Sequence, residues 1–336
     1  MIGDQTTPLR PLGPDLRDAG EISVIVATRN RPSQLDACLR SLLTQTRPAA
    51  LIVVVDDAPG GDLTPAVVAA LAPCGPLRYV EGPRRGLAAA HNRGLEVVDT
   101  PLVAFTDDDV VADPEWLERI ADVFCADEEV GCVTGMIRPL ELCTDAQVML
   151  EGYAGFNKGP SGRVFDLREN RPDDPLYPFA AGRLGSGANM AFRHSALREM
   201  GGFDPALGAG TRARGGDDLS AFFEVIQEGH RLTYEPRAIV HHRHADDMVS
   251  LERQVYGYGV GLTAYLTRVL LGRPRLLPTV LRRIPAAIAL VLDPRSDKNA
   301  GLPPNYPPAL VRLERIGMLV GPFAYLASRW AQWRER

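Results

Sequence analysis

Residues 102–109 read LVAFTDDD, an apolar run that leads directly into three consecutive aspartates. Short apolar runs of this kind are typical of strands buried in a parallel sheet. Three further candidate strands precede this one along the chain, at 22–27 (ISVIVA), 51–55 (LIVVV) and 77–80 (LRYV). The stretch at 102–109 is therefore predicted to be the fourth strand of an α/β sheet, with its acidic residues just beyond the carboxyl end of the strand.

Helical patterns alternate with these strands. From about Ser33, apolar residues recur at spacings of three and four and so fall on one buried helix face: Leu35, Cys38, Leu39 and Leu42. Further helices are predicted at 66–71, at 86–98 and from Pro114 onwards. The alternation of strands and helices predicts a mostly parallel sheet covered by helices on both sides.

The pattern changes after about residue 135. Residues 140–181 are irregular and rich in Pro, Gly and Asp. Beyond them we predict a strand at 188–193, a helix that begins at Asp217, and two short strands at 232–234 and 238–242. From Met248 the sequence becomes helical and basic. These changes predict three parts: a loose arm at 1–20, a main α/β domain at 21–245 and a helical C-terminal extension at 246–336.

The composition allows an ordinary folded core and excludes some classes of function. Of the 336 residues 45% are hydrophobic, and the net charge is −5. A general nucleic-acid binder is not expected, because it would show a basic stripe. Five cysteines without a CxxC pair argue against a disulfide framework or a zinc site, and they favour reduced thiols in a cytoplasmic protein.

Secretory and membrane-spanning segments are not predicted either. Residues 1–20 lack the apolar core of a signal peptide. The longest apolar stretches, at 284–292 and 316–328, are shorter than the roughly 20 residues that a spanning helix needs. An association with the membrane surface remains open.

Two acidic clusters follow predicted strands, at 56–57 and at 107–109. In open α/β sheets, ligands bind beyond the carboxyl ends of the strands. Adjacent carboxylates repel one another unless a cation neutralises them, and oxygen ligands of this kind suit Mg²⁺ or Mn²⁺. A solvated acidic turn is the alternative, but the position directly after a buried strand favours a metal site at 107–109.

Eight segments of the chain, spread over about residues 22–245, form one ordered set of motifs: VIVATRNRP (24–32), VVVDDAPGG (53–61), GLAAAHNRG (86–94), FTDDDV (105–110), SGANMAFR (186–193), GGFD (201–204), GGDDL (215–219) and YEPRAIVHH (234–242). In their order and spacing they resemble the family-2 glycosyltransferases, which have the GT-A fold. The resemblance implies a Rossmann-like GT-A domain. It also implies inverting transfer of a sugar from a nucleotide-diphosphate sugar, with a UDP- or dTDP-sugar expected, to a hydroxyl of a glycan, a lipid-linked sugar or a small molecule.

The resemblance divides the main domain into a nucleotide-binding half at 21–135 and an acceptor-binding half at 136–245. In the first half, Ala27 and Thr28 would line the nucleotide pocket. Asp57 would bind the base or the ribose. Asn92 lies in the helix that would face the nucleotide.

The aspartates at 107–109 match the DxD motif of the family. The resemblance implies that Asp107 and Asp108 contact the nucleotide sugar, while Asp109 binds a Mn²⁺ or Mg²⁺ ion directly. Asp107 would hold either the ribose or the metal. A histidine at about the position of His242 can reach the metal in the family, and a surface histidine cluster is the alternative.

The acceptor hydroxyl is a poor nucleophile and must lose its proton to a positioned base. In the family this base is the Asp of a Glu-Asp pair at the start of a helix, and the matching residues here are Asp217 and Asp218. The resemblance implies that Asp218 is the base and that Asp217 orients the acceptor. Because the pair departs from Glu-Asp, either carboxylate could act, and stabilisation of the helix dipole is the non-catalytic alternative.

Basic residues lie among Leu, Val, Tyr and Trp in residues 248–336. Such a composition suits the surface of an anionic membrane, here the inner face of the cell membrane. It also suits helices that pack on the catalytic domain or on the second copy of a homodimer.

Two other functions compete with sugar transfer. A sugar nucleotidyltransferase would place a Gly-rich, Arg-containing loop after the first strand, where this chain has TRNRP at 28–32. A non-catalytic nucleotide- or carbohydrate-binding module would use Asp217 and Asp218 only as helix caps.

Overall fold

The structure, a computed structural model, describes residues 20–334 except 155, 157, 294, 297 and 300. The predicted arm at 1–20 therefore lies almost wholly outside the described residues.

The described strands form one sheet, in the order β3-β2-β1-β4-β8-β6-β9-β5, with β7 paired to β9. Their bounds are β1 (Ile22–Thr28), β2 (Leu51–Asp56), β3 (Leu77–Glu81), β4 (Leu102–Asp107), β5 (Val110–Ala112), β6 (Val130–Pro139), β7 (Arg163–Phe165), β8 (Met190–Arg193) and β9 (Arg231–His242). Strands β3, β2, β1 and β4 are parallel, and β8 runs antiparallel between β4 and β6. The predicted, mostly parallel sheet is confirmed.

Helices cover the sheet and form the C-terminal part. They are α1 (Pro32–Leu43), α2 (Leu63–Leu71), α3 (Leu87–Leu95), α4 (Trp116–Ala126), α5 (Asp145–Ala154), α6 (His194–Glu199), α7 (Asp217–Gln227), α8 (Met248–Gly272), α9 (Leu277–Leu292) and α10 (Pro308–Arg334). Short 3₁₀ turns lie at Ala72–Cys74, Ala181–Arg183 and Pro274–Leu276. In the described part of the chain, no helix combines the length and the apolar character needed to cross a bilayer.

The apolar runs in β1, β2 and β4 have a simple explanation. Alternate side chains of a strand point to opposite faces of the sheet. Ile25 belongs to the hydrophobic core on one face, while Val24 and Val26 belong to the core on the other. Both faces are covered, so apolar residues occupy consecutive positions along the strand rather than every second one.

Strand β9 corrects one prediction. The sequence predicts two short strands at 232–234 and 238–242, but the structure has one strand, Arg231–His242. The interruption around Pro236 is a shift in the register of β9 against β6. Glu235 pairs with Gly135, whereas the next residue of β6, Met136, pairs with Ile239, so three residues of β9 are left without a partner on β6. Proline cannot donate to the ladder and is tolerated at such a bulge.

Other predicted boundaries move as well, and the strands β5, β6 and β7 were not predicted. Helix α4 begins at Trp116 rather than at Pro114, and β8 begins at Met190 rather than at residue 188. Strand β6 contains Gly135, which weakens the strand pattern in the sequence. Glycine is needed there because a Cβ would clash with the carbonyl oxygen of Ala238 on the neighbouring strand.

Helices α8 and α10 pack with their backbones close together. Glycines at the contact make this possible, because a Cβ at Gly259, Gly317 or Gly321 would lie 2.9 Å from a backbone atom of the facing helix. The predicted helical C-terminal part is confirmed, and α8 also packs against α7 and α5.

Candidate active site

The carboxyl ends of β1, β2 and β4 lie side by side, because these strands are parallel. Ala27 of β1 pairs with Asp107 of β4, and Thr28 pairs with Asp56 of β2. The acidic clusters after β2 and β4 are thereby brought to one edge of the sheet. A cavity of about 1030 Å³ opens there. Its lining includes every predicted site residue except Asn92: Ala27, Thr28, Asp57, Asp107, Asp108, Asp109, Asp217, Asp218 and His242.

Asp108, the middle one of the three consecutive aspartates, is held by β1 and the turn that follows it. Its Oδ2 accepts a hydrogen bond of 2.7 Å from the hydroxyl of Thr28, and its Oδ1 accepts one of 3.1 Å from the guanidinium of Arg31. The same guanidinium nitrogen donates to Asp109 at 3.0 Å. Burial and the charge of Asp109 raise the pKa of Asp108, and Arg31 opposes this effect. Thr28 and Asp108 thus hold each other in place at the cavity wall.

Asp107, Asp109 and His242 form the candidate metal site. The ligand atoms that they offer all lie within 4.8 Å of one another. The Nε2 of His242 is 3.3 Å from the Oδ1 of Asp109, yet that buried oxygen accepts no hydrogen bond from any described residue. Burial and the charges of Asp109 and Asp108 raise the pKa of Asp107 well above its ordinary value. A divalent cation would relieve both the crowded charge and the unpartnered oxygen, so these residues fit Mn²⁺ or Mg²⁺.

Strand β5 explains why His242 reaches the aspartates. The chain runs from Asp109 directly into β5, which pairs antiparallel with the end of β9 and sets Val110 opposite His242. The N–H of Arg243 also donates to the carbonyl of Asp109 at 3.0 Å. Burial lowers the pKa of His242, and a neutral imidazole has the lone pair that a metal needs.

Asp57 shapes the loop that enters α3. Its two carboxylate oxygens accept hydrogen bonds from the backbone N–H groups of Arg85, at 3.1 Å, and Gly86, at 3.0 Å. Gly86 has a φ of 94°, a conformation that glycine adopts without strain. The guanidinium of Arg29 lies 4.0 Å from the same carboxylate. Asp57 therefore orders the cavity wall at the entry to α3.

Asp217 and Asp218 open helix α7 on another wall of the cavity. Asp218 accepts hydrogen bonds from the backbone N–H groups of Leu219, at 2.8 Å, and Gly187, at 2.9 Å. These bonds favour its ionised form, whereas burial raises its pKa. Burial and the charge of Asp218 raise the pKa of Asp217 to about 7. The pair therefore offers one carboxyl that two backbone N–H groups hold in place and one that keeps its proton near neutral pH.

Asn92 is placed differently from the other predicted ligands. Its amide donates to the carbonyl of Phe203 at 2.7 Å, and its amide oxygen accepts from the N–H of Phe203 at 2.9 Å. It does not belong to the cavity lining described above. Asn92 thus joins α3 to the loop after α6 and is not part of the proposed site.

Several cavity residues lie outside the motifs that the sequence offered. Arg253, Gln254 and Tyr258 of α8 form one wall. Lys158 lies in the loop after α5, and burial lowers its pKa to about 8. The sequence did contain a signal that this helix is closely packed, since α8 includes three glycines: Gly257, Gly259 and Gly261. A helix tolerates several glycines mainly where another element approaches it closely.

Comparison with known proteins agrees with this geometry. The model of a family described as glycosyl transferase family 2 matches residues 23–201. The chain belongs to this family. The matched residues of this family-2 glycosyltransferase include the aspartates at 107–109. The pair at 217–218, His242 and the wall formed by α8 lie beyond the matched residues.

Curated relatives are glycosyltransferases too. The chain is 31% identical over 237 residues to a pre-mycofactocin glycosyltransferase of Mycobacterium tuberculosis, a match that covers 70% of this chain and 45% of that protein. It is 22% identical over 240 residues to a glucosyl-dolichyl phosphate glucuronosyltransferase of Haloferax volcanii, covering 66% of this chain and 69% of that one. The chain thus spans less than half the length of the mycobacterial relative.

A solved structure confirms the predicted GT-A fold. The mannosyltransferase PcManGT from Pyrobaculum calidifontis, in complex with GDP-Man and Mn²⁺, superposes with a TM-score of 0.55 at 21% sequence identity. The superposition covers 89% of this chain and 87% of the other. It therefore includes much of the helical C-terminal part as well as the sheet.

Proposed function

We propose that this family-2 glycosyltransferase transfers a sugar, with inversion, from a nucleotide-diphosphate sugar to an acceptor hydroxyl, and that it requires Mn²⁺ or Mg²⁺. The observation that carries the proposal is the buried, unpartnered Oδ1 of Asp109 between Asp107 and His242. The same cavity holds the carboxylate pair at 217–218. A candidate metal site and a candidate base thus share one cavity, which supports a displacement at the anomeric carbon.

The donor would lie along the carboxyl ends of β1, β2 and β4. Ala27, Thr28 and Asp57 would contact the nucleoside, and Asp107 and Asp108 would lie nearest the ribose and diphosphate. The cation, when bound, neutralises the negative charge that develops on the departing nucleoside diphosphate. A UDP- or dTDP-sugar is our expected donor. The Pyrobaculum neighbour binds GDP-Man, so GDP-sugars belong in any donor screen.

The acceptor would approach from the opposite side of the sugar, next to α7. Asp218 is held by two backbone N–H groups, and its carboxylate would take the proton from the acceptor hydroxyl. Asp217 keeps its proton up to a pH of about 7, so it can donate a hydrogen bond that orients the acceptor.

A donor screen tests this proposal. The protein is incubated with UDP-, dTDP- and GDP-sugars and Mn²⁺, and the released nucleoside diphosphate is measured. We expect slow release with one donor, which chelator abolishes and which the Asp109→Asn variant lacks. Equal release in chelator would overturn the role of the metal. Release of pyrophosphate from a nucleoside triphosphate and a sugar phosphate would indicate a nucleotidyltransferase, and release of neither product would indicate a binding module.

We also propose that α9 and α10 contact an anionic membrane surface. Both helices expose apolar side chains at helical spacing: Leu277, Leu281, Ile284, Ile288 and Leu292 on α9, and Ile316, Leu319, Val320, Phe323, Leu326, Trp330 and Trp333 on α10. Arginines are exposed in the same segment: Arg275, Arg282, Arg295, Arg312, Arg315, Arg329 and Arg334. Asp293 is the one exposed acidic residue among the described residues of 273–334. Apolar stripes with basic flanks suit anionic lipid headgroups.

Vesicle flotation tests this contact. The protein is mixed with phosphatidylcholine vesicles that do or do not contain phosphatidylglycerol. We expect the protein to float only with the anionic vesicles. The double variant Leu319→Glu, Phe323→Glu should remain in the bottom fraction of the gradient with both kinds of vesicle. Leu63→Glu is the matched control, because Leu63 is also an exposed leucine, 67% exposed, but lies on α2. Equal flotation of the double variant, or a lipid-free dimer that the double variant dissociates, would contradict the membrane contact.

A further inference from the structure

A row of polar contacts leads from helix α5 to the candidate metal site. The Oε2 of Glu151 lies 2.9 Å from the Nε2 of His244. The Nδ1 of His244 lies 3.1 Å from the Nδ1 of His242. The Nε2 of His242 then lies 3.3 Å from the Oδ1 of Asp109. The row therefore joins two residues that no motif includes to a predicted ligand of the cation.

The first contact determines which nitrogen of His244 carries a proton. An ionised carboxylate can only accept hydrogen bonds, so the Nε2 of His244 must donate to Glu151. The side chain of His244 is 0% exposed, and its two ring nitrogens contact Glu151 and His242. Neutral His244 with a proton on Nε2 has a lone pair on Nδ1. Its Nδ1 can therefore only accept.

The second contact passes this constraint on to His242. A hydrogen bond between the two Nδ1 atoms needs one proton, and His244 does not supply it. The Nδ1 of His242 must then donate, and its Nε2 has the lone pair. The opposite tautomer of His242 would set two lone pairs against each other across 3.1 Å.

The lone pair on the Nε2 of His242 points at an oxygen that needs a partner. The Oδ1 of Asp109 is buried and accepts no hydrogen bond from the described residues. Two electron-pair donors 3.3 Å apart repel each other unless a cation binds both. The ring of Phe156 lies 5.9 Å from the ring of His242 and 5.5 Å from that of His244, which restricts their rotation.

We propose that Glu151 and His244 are positioning residues, which fix the tautomer and ring orientation of His242 so that its Nε2 is presented to the catalytic cation. The proposal rests on the metal-dependent function proposed above. It extends the site to α5, because Glu151 touches neither the donor nor the cation and acts through two histidines. Outer partners of this kind commonly change metal affinity by about 10–100-fold when they are removed.

Binding of Mn²⁺, followed by electron paramagnetic resonance of the free ion in the presence of a nucleoside diphosphate, tests the proposal without relying on turnover. Glu151→Leu removes the acceptor, and we expect it to weaken Mn²⁺ binding about 10–100-fold. Glu151→Gln keeps a carbonyl oxygen at the same place, and we expect it to restore most of the affinity.

Glu199→Leu is the matched control. Glu199 pairs with His230 through the same atom types at the same distance, 2.9 Å, on the surface. We expect the control to bind Mn²⁺ like the unmodified protein. If Glu151→Leu also keeps the original affinity, the positioning role is overturned while the metal site stands. If the unmodified protein binds no Mn²⁺, the metal site and the positioning role are both overturned.

The nitrogen signals of the histidines give a second measurement, on the protein with Mg²⁺ and a nucleoside diphosphate bound. NMR with ¹⁵N-labelled histidine distinguishes a protonated ring nitrogen from one with a lone pair. We expect His242 to be protonated on Nδ1 and His244 on Nε2, and Glu151→Leu to mix the tautomers of both rings. An unmodified protein in which His242 is protonated on Nε2 would refute the inference. Unchanged circular dichroism of the variant excludes misfolding as the cause.

Discussion

The contact between α8 and α10 offers a sharp test of the idea that the C-terminal helices are part of the active site. A Cβ added at Gly259 would lie 2.9 Å from the carbonyl carbon of Glu314, closer still to its oxygen, and 3.0 Å from the nitrogen of Met318. Ordinary contacts begin at 3.4 Å. The two backbones must therefore part by at least about half an ångström to admit one methyl group.

We expect Gly259→Ala to lower the free energy of unfolding. Overpacking of a tight contact costs about 1–3 kcal/mol, and the better helix propensity of alanine returns about 1 kcal/mol. The neighbouring Tyr258 lines the cavity, so movement of α8 should also raise the KM for the donor or the acceptor. Thermal unfolding and steady-state kinetics measure the two effects.

Gly272→Ala is the control for this experiment. Gly272 ends α8, and a Cβ there would meet nothing within 4 Å. We expect no loss of stability and no change in KM. Gly259→Ala with the stability and kinetics of the unmodified protein would refute the reasoning, because α8 and α10 would then not be packed closely. A loss of stability with unchanged kinetics would separate the helix packing from the cavity wall.

Three further predictions follow from the site. Asp218→Asn should slow sugar transfer by about 10²–10⁴-fold with little change in unfolding temperature, and equal rates for Asp218→Asn and the unmodified protein would exclude Asp218 as the base. The pKa of Asp217 is about 7 in the folded protein and 3.8 in the unfolded chain. Between these two pH values the folded state binds more protons than the unfolded state, so the free energy of unfolding should fall as the pH rises from about 4 to about 7. Asp217→Asn should flatten that dependence in thermal unfolding, and an unchanged slope would contradict the raised pKa. Asn92→Ala removes two hydrogen bonds to the backbone of Phe203 and should cost about 1–3 kcal/mol of stability while the KM for the donor stays the same; a large rise in KM would return Asn92 to the nucleotide site.

Local patterns in the sequence were enough for the strands β1 to β4 and for the acidic edge of the sheet. β1, β2 and β4 contain runs of consecutive apolar residues because both of their faces are covered, and this signal does not depend on distant residues. The clusters at 56–57 and 107–109 follow such strands directly, so the parallel arrangement alone brings them to the same edge. The acidic cluster at 107–109 could therefore be placed at the ligand-binding edge of the sheet from the sequence.

Other features depend on pairings between distant parts of the chain, which periodicity does not encode. His242 reaches Asp109 because β5 pairs with the end of β9, and Asn92 turns to Phe203 rather than to the cavity. The wall formed by α8 and the contact of Glu151 with His244 arise because helices with no recognised motif pack beside the sheet. A side chain's type is set by the chain, but the atoms it meets are set by which elements the tertiary fold brings within hydrogen-bond distance of it.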